Sequence, residues 1–76
     1  MKLYYSTSEG ETFLLESDNY QEINKYIYSY VSDVLKFKSY YMRKWMADET
    51  TAIVDYGSHV NFFVIKDATQ KELFEY

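Results

Sequence analysis

A stripe of apolar side chains between Asp18 and Lys38, in the segment DNYQEINKYIYSYVSDVLKFK, constrains this chain more than any other feature. Ile23, Ile27, Tyr30, Val31 and Val34 succeed one another at spacings of four, three, one and three. At 3.6 residues per turn those spacings place all five on one side of a helix. Glu22, Lys25, Ser29, Ser32, Asp33 and Lys36 fill the other side. The start is written twice, as Asp18 with Gln21 and as Asn19 with Glu22, each a cap residue joined three positions later by a side chain that reaches back. Lys36 and Lys38 suit the negative end of the helix dipole, and the helix is expected to stop by Ser39.

An amphipathic helix of this length needs a surface to lie on, and the rest of the chain supplies strands. Lys2–Ser6 and Thr12–Glu16 alternate in the β manner around a turn, Ser8 to Glu11, in which Gly10 is free to take a positive φ. Tyr40–Ala47, Thr50–Tyr56 and His59–Lys66 read as a three-stranded meander, with turns at Asp48–Glu49 and Gly57–Ser58. Asp67 with Gln70 repeats the capping signature, so KELFEY can add a short helix with Leu73 and Phe74 docked on the core. The order is β-β-α-β-β-β with an optional α. The implied fold class is α+β, a small two-layer single domain over residues 1–76, with an antiparallel sheet of four to five strands packed on one long helix.

A single helix shields one side of a sheet, so the other side decides how the protein meets its surroundings. With Leu3, Phe13, Leu15, Met42, Met46, Ile53, Val60, Phe62 and Val64 taken as facing the helix, the outward set is Tyr4, Leu14, Tyr41, Trp45, Val54, Tyr56, Phe63 and Ile65. Soluble monomers rarely leave a large apolar patch in water. The expected interface residues are Tyr41, Trp45, Tyr56, Phe63 and Ile65, and the expected assembly is a two-fold homodimer with Trp45 and Phe63 as buried anchors. A small domain of 76 residues with no cysteine has few other means of reinforcing a thin core.

Charge divides the chain into three. Residues 1–33 carry Lys2 and Lys25 against Glu9, Glu11, Glu16, Asp18, Glu22 and Asp33, and residues 45–76 carry Lys66 and Lys71 against Asp48, Glu49, Asp55, Asp67, Glu72 and Glu75. Between them Lys36, Lys38, Arg43 and Lys44 stand without an acid, interleaved with Phe37, Tyr40, Tyr41 and Trp45. Cations alternating with aromatic rings can grip a single nucleic-acid strand through phosphates and stacked bases, which makes these four a candidate anion-binding patch. The net charge of −4 and a pI near 4.8 oppose that reading, since nucleic-acid domains are commonly basic. They suit instead an acidic decoy that occupies a nucleic-acid groove on an enzyme.

Catalytic chemistry finds little support. His59 is the one imidazole, and a catalytic histidine needs a substrate cleft and an orienting partner. The carboxylates fit no calcium-loop pattern, so neither metal nor cofactor is expected. No apolar run approaches the roughly 18 residues of a membrane span, and MKLYYSTSEGE has no apolar core of a secretory signal. Seven lysines to one arginine, with no proline, suggest an AT-rich coding sequence. The resulting expectation is a small non-enzymatic cytoplasmic interaction module, an accessory protein of phage or mobile-element type.

Overall fold

The computed structural model describes residues 1–38 and 41–74. Its strands are β1 (Lys2–Thr7), β2 (Gly10–Glu16), β3 (Arg43–Met46), β4 (Thr51–Asp55) and β5 (Phe62–Lys66). They form one sheet in the order β2-β1-β5-β4-β3, and every neighbouring pair is antiparallel. Helix α1 (Tyr20–Ser29) continues as a π-helical stretch, Tyr30–Val34, and lies on one side of the sheet. A short α2 (Gln70–Phe74) closes the described chain. This is the two-layer α+β architecture, with strand β5 at the centre of the sheet. Among the described residues no helix is long and apolar enough to cross a membrane. The expected strand start at Tyr40 and the ends of the KELFEY segment, Glu75 and Tyr76, lie outside the described residues.

Local signals account for most of the boundaries. Asn19 is the cap of α1, accepting from the Gln21 N–H at 2.9 Å, while Ser17 Oγ donates to Glu22 at 3.3 Å. Gly10 turns the first hairpin at φ 126°, a backbone conformation that side chains with a Cβ resist. The cap of α2 is Thr69 rather than Asp67. The Thr69 N–H donates to Glu72 Oε1 at 3.0 Å and the Glu72 N–H to Thr69 Oγ1 at 3.3 Å, a reciprocal box that Asp67, at φ 58°, is not placed to form.

The stripe on α1 holds through Ile23, Ile27 and Val31, which are all buried, but Val34 is 60% exposed. The reason is the π-helical stretch. One wider turn rotates the residues beyond it, so Leu35 packs on the core in place of Val34. Lys36 then takes a left-handed φ of 50°, and the Phe37 N–H returns to the Val31 carbonyl at 3.0 Å, ending the helix before Lys38.

The sheet corrects the expected facing more seriously. Leu3, Ala52, Val54, Tyr56, Phe63 and Ile65 lie beneath the helix, each at most 4% exposed, so Tyr56, Phe63 and Ile65 are core and not interface. Phe13, Ile53, Phe62 and Val64 face the other way. Two physical causes produce the inversion. Ala52–Val54 and Phe62–Ile65 are apolar at every position, so alternation carries no information about which face is inward. In β2 a bulge leaves Leu14 unpaired between the Leu3–Leu15 and Tyr4–Phe13 pairs, so both leucines reach the core and Phe13 turns out. Val60 stands 72% exposed in the loop before β5. In β3 the expected facing is the observed one, with Met42 and Met46 packed on the core and Trp45 outward.

Ile27 sits at the middle of the buried stripe at 1% exposure. Its truncation to Ala is expected to cost about 2–5 kcal/mol, seen as a lower denaturant midpoint at unchanged slope. A midpoint equal to that of the wild type would place the stripe elsewhere.

Candidate functional site: the uncovered sheet face

On the side away from α1, the register sets Phe13 opposite Tyr4, Tyr4 opposite Val64, Val64 opposite Ile53 and Ile53 opposite Trp45. Side chains directly opposite share a face, so these five form one apolar row across all five strands. Its ends are the most accessible, Phe13 at 55% and Trp45 at 42% exposure, while Val64 at the centre is 6% exposed. Phe62 adds a further ring beside the row, in register with Ser6. The α2 helix does not cover this face. Leu73 is fully buried in the helix-side core, and Lys44 ties α2 there, donating to the Leu73 carbonyl at 2.9 Å and to the Tyr20 hydroxyl at 3.0 Å. No described element lies over the row.

Its charged margins are arranged in pairs. Lys66 Nζ lies 4.6 Å from the centre of the Tyr4 ring and 2.7 Å from Glu11, so this ion pair spans the middle of the row. Arg43 meets Asp55 at 2.9 Å across the β3–β4 ladder, and Lys2 lies 3.6 Å from Asp67. Asp55 is 4% exposed. The Arg43 guanidinium and the Gly57 N–H, at 2.8 Å, hold its carboxyl below the usual carboxylate range.

A carboxyl lowered on folding stabilises the folded state above its unfolded value near 4, and that stabilisation is lost as the pH falls through the folded value. Asp55→Ala is therefore expected to cost about 1–3 kcal/mol at neutral pH. Asp55→Asn should flatten the acid limb of the thermal midpoint measured against pH. An acid limb identical to that of the wild type would assign the acid sensitivity to other carboxyls.

The four expected anion-binding cations do not gather on one surface. Arg43 is paired on the uncovered face, whereas Lys44 on the next residue points to the helix side, 4.1 Å from the Tyr20 ring and 5.0 Å from the Phe74 ring. Lys36 and Lys38 are exposed beyond the helix end. Tyr41 is 42% exposed, with the Arg43 guanidinium 5.3 Å over its ring. The role of Lys44 as the tie between β3, α1 and α2 could not be read from its place in a basic run, because its partners are 24 and 29 residues away.

The remaining chemistry-bearing groups are dispersed. His59 is exposed in the β4–β5 loop at φ 73°, and among the described residues no three of His, Asp and Glu gather as a cation site. A cleft of about 190 Å³ between α1 and β3 is lined by Tyr20, Asn24, Tyr28, Met42, Arg43, Lys44 and Val54, and a more open hollow of about 450 Å³ lies among Met1, Asp18, Asn19, Tyr20, Gln21 and Glu72.

Under the π-helical stretch, Tyr5, Tyr30, Tyr56 and Phe63 pack ring on ring with centroids 5.3–6.3 Å apart, and the hydroxyls of Tyr5 and Tyr56 share a hydrogen bond of 2.8 Å. Burial, then this hydrogen bond, pushes the Tyr5 phenol up to about 12. A phenol raised on folding stabilises the folded state below its unfolded value near 10, and the contribution fades as the pH climbs through the folded value. Ultraviolet titration is expected to show a late tyrosine that Tyr5→Phe removes. A titration complete near pH 10 would contradict the half-buried hydrogen-bonded pair.

Searches of family models, of curated proteins and of solved structures return no match for this chain.

Proposed function

We propose that this chain is a non-enzymatic interaction module that binds protein through the uncovered sheet face. The observation that carries the reading is the row Phe13, Tyr4, Val64, Ile53 and Trp45, which crosses the whole sheet with its two large ends in water. Exposed aromatic rings set in an apolar surface with a charged rim are what protein interfaces use as anchors. Composition supports a cytoplasmic accessory protein of phage or mobile-element type. A nucleic-acid ligand draws no support from cations that are divided between the two sides of the sheet.

The reading is tested by a photo-crosslinking amino acid placed at position 45 and, separately, at Lys25 on the outer side of α1, in the cells that make the protein. Protein adducts are expected from position 45 and not from position 25. Equal adducts from both positions, or none from either, would overturn it.

A further inference from the structure

We infer that the occupant of this face is a second copy of the chain, stacked on the first about a two-fold axis that runs parallel to β5 through Val64. This rests on the reading of the uncovered face as the contact surface and adds the identity and the orientation of the partner.

Width argues for a sheet. The row ends at Phe13 on β2 and at Trp45 on β3, both half in water, and four strand spacings of about 4.8 Å separate them by roughly 19 Å. A helix is about 10–12 Å across with its side chains, so one lying parallel to the strands leaves at least one end wet. A second five-stranded sheet is as wide as the first and covers both, with strands aligned as in a β-sandwich.

Charge argues for self-association and selects the axis. The chain carries −4, yet around the row Lys2, Lys66 and Arg43 stand against Glu11, Asp55, Asp67 and, opposite Lys2 in register, Glu16. Three cations against four carboxylates leave this face close to neutral, so two copies meet less repulsion here than their net charge implies.

A two-fold parallel to β5 lays the β2 side of one copy over the β3 side of the other. Phe13 then meets Trp45, Tyr4 meets Ile53, and Val64 meets itself. One step along the strands Glu11 faces Arg43 of the second copy, two unlike charges. Lys66 faces Lys66, but its ammonium is drawn aside over Tyr4 to Glu11. A two-fold perpendicular to the strands would instead set Glu11 against Glu16 and stack the ion-paired half of the face on its own kind. Like charges placed opposite one another cost free energy, which leaves the axis along β5.

The chain has no cysteine, so single cysteines report the geometry without a background. Glu11→Cys and Arg43→Cys are to be treated with a short bis-maleimide, each alone and then mixed, alongside sedimentation of the untouched protein at up to millimolar concentration. The expected result is a dimer by mass, with several-fold more linked dimer in the mixture than in either variant alone. A dimer whose single variants link as well as the mixture, or whose mixture does not link, overturns the axis. A protein that sediments as a monomer throughout overturns the second copy as occupant. In that case adducts to other proteins from position 45 would leave the interaction reading standing, and their absence would remove both.

Discussion

Phe63→Ala is expected to leave most of the chain unfolded or close to its midpoint at room temperature. Phe63 is fully buried, pairs in register with Tyr5 and Val54, and packs its ring against Tyr5, Tyr30 and Tyr56. Removing a core phenylalanine costs about 3–5 kcal/mol. A chain of 76 residues has a total stability of roughly 4–11 kcal/mol, so this one ring accounts for a large part of it. The loss also frees Tyr5 and Tyr56, whose hydroxyl pair is held in place by the packing around it. Denaturant unfolding monitored by circular dichroism measures the effect, and a midpoint near that of the wild type would show that Phe63 is a surface residue after all.

The opposite behaviour is expected of Phe13→Glu combined with Trp45→Glu. Both side chains stand half in water at the two edges of the sheet, and surface substitutions of this kind alter folding by only about 0.5 kcal/mol each. If they anchor an interface, each removal costs about 2 kcal/mol or more of association, and the pair together weakens binding by roughly a thousandfold. The double variant should therefore sediment as a monomer and unfold near the wild-type midpoint at concentrations low enough for the wild type to be monomeric too. A double variant that fails to fold would make the row part of the core, and one that associates as before would make it irrelevant to binding.

The contrast between Phe63 and Trp45 shows what could be read from the residues and what could not. The helix and the turn at Gly10 are local features, each decided by residues within a few positions of one another, and both were legible, while the cap was narrowed to Asp18 or Asn19. The outward direction of Trp45 was the favoured of two readings and only partly legible, because Lys44 stands on the same side as Met42 and Met46 and alternation alone does not decide between the faces. Phe63 and Ile65 were not legible, because every residue from Phe62 to Ile65 is apolar and either register buries a plausible set. The bulge at Leu14 and the wide turn at Tyr30–Val34 each insert one residue into a regular period, and a period read from sequence assumes no such insertion. Lys44 illustrates a third limit. Its acceptors come from α1 and α2, so its structural role exists only once the chain is folded.

The uncovered face was thus foreseen as a surface while most of its membership was exchanged. Tyr4 and Trp45 belong to both versions. Tyr56, Phe63 and Ile65 give way to Phe13, Ile53 and Val64, which carry the same apolar character in a narrower band with ion pairs on either side. A band bordered by paired charges suits reversible association better than the continuous apolar face that the alternation suggested, because its rim tolerates water in the free chain.

Trp45 is the only tryptophan and sits at the edge of the proposed contact, so its fluorescence reads the occupancy of the face directly. The emission maximum and the quenching by acrylamide should be recorded from nanomolar to millimolar protein. Pairing of the faces predicts a quenchable, long-wavelength indole in dilute solution that shifts to shorter wavelength and loses quencher access as the concentration rises. A spectrum and a quenching constant that stay the same over the whole range would contradict it.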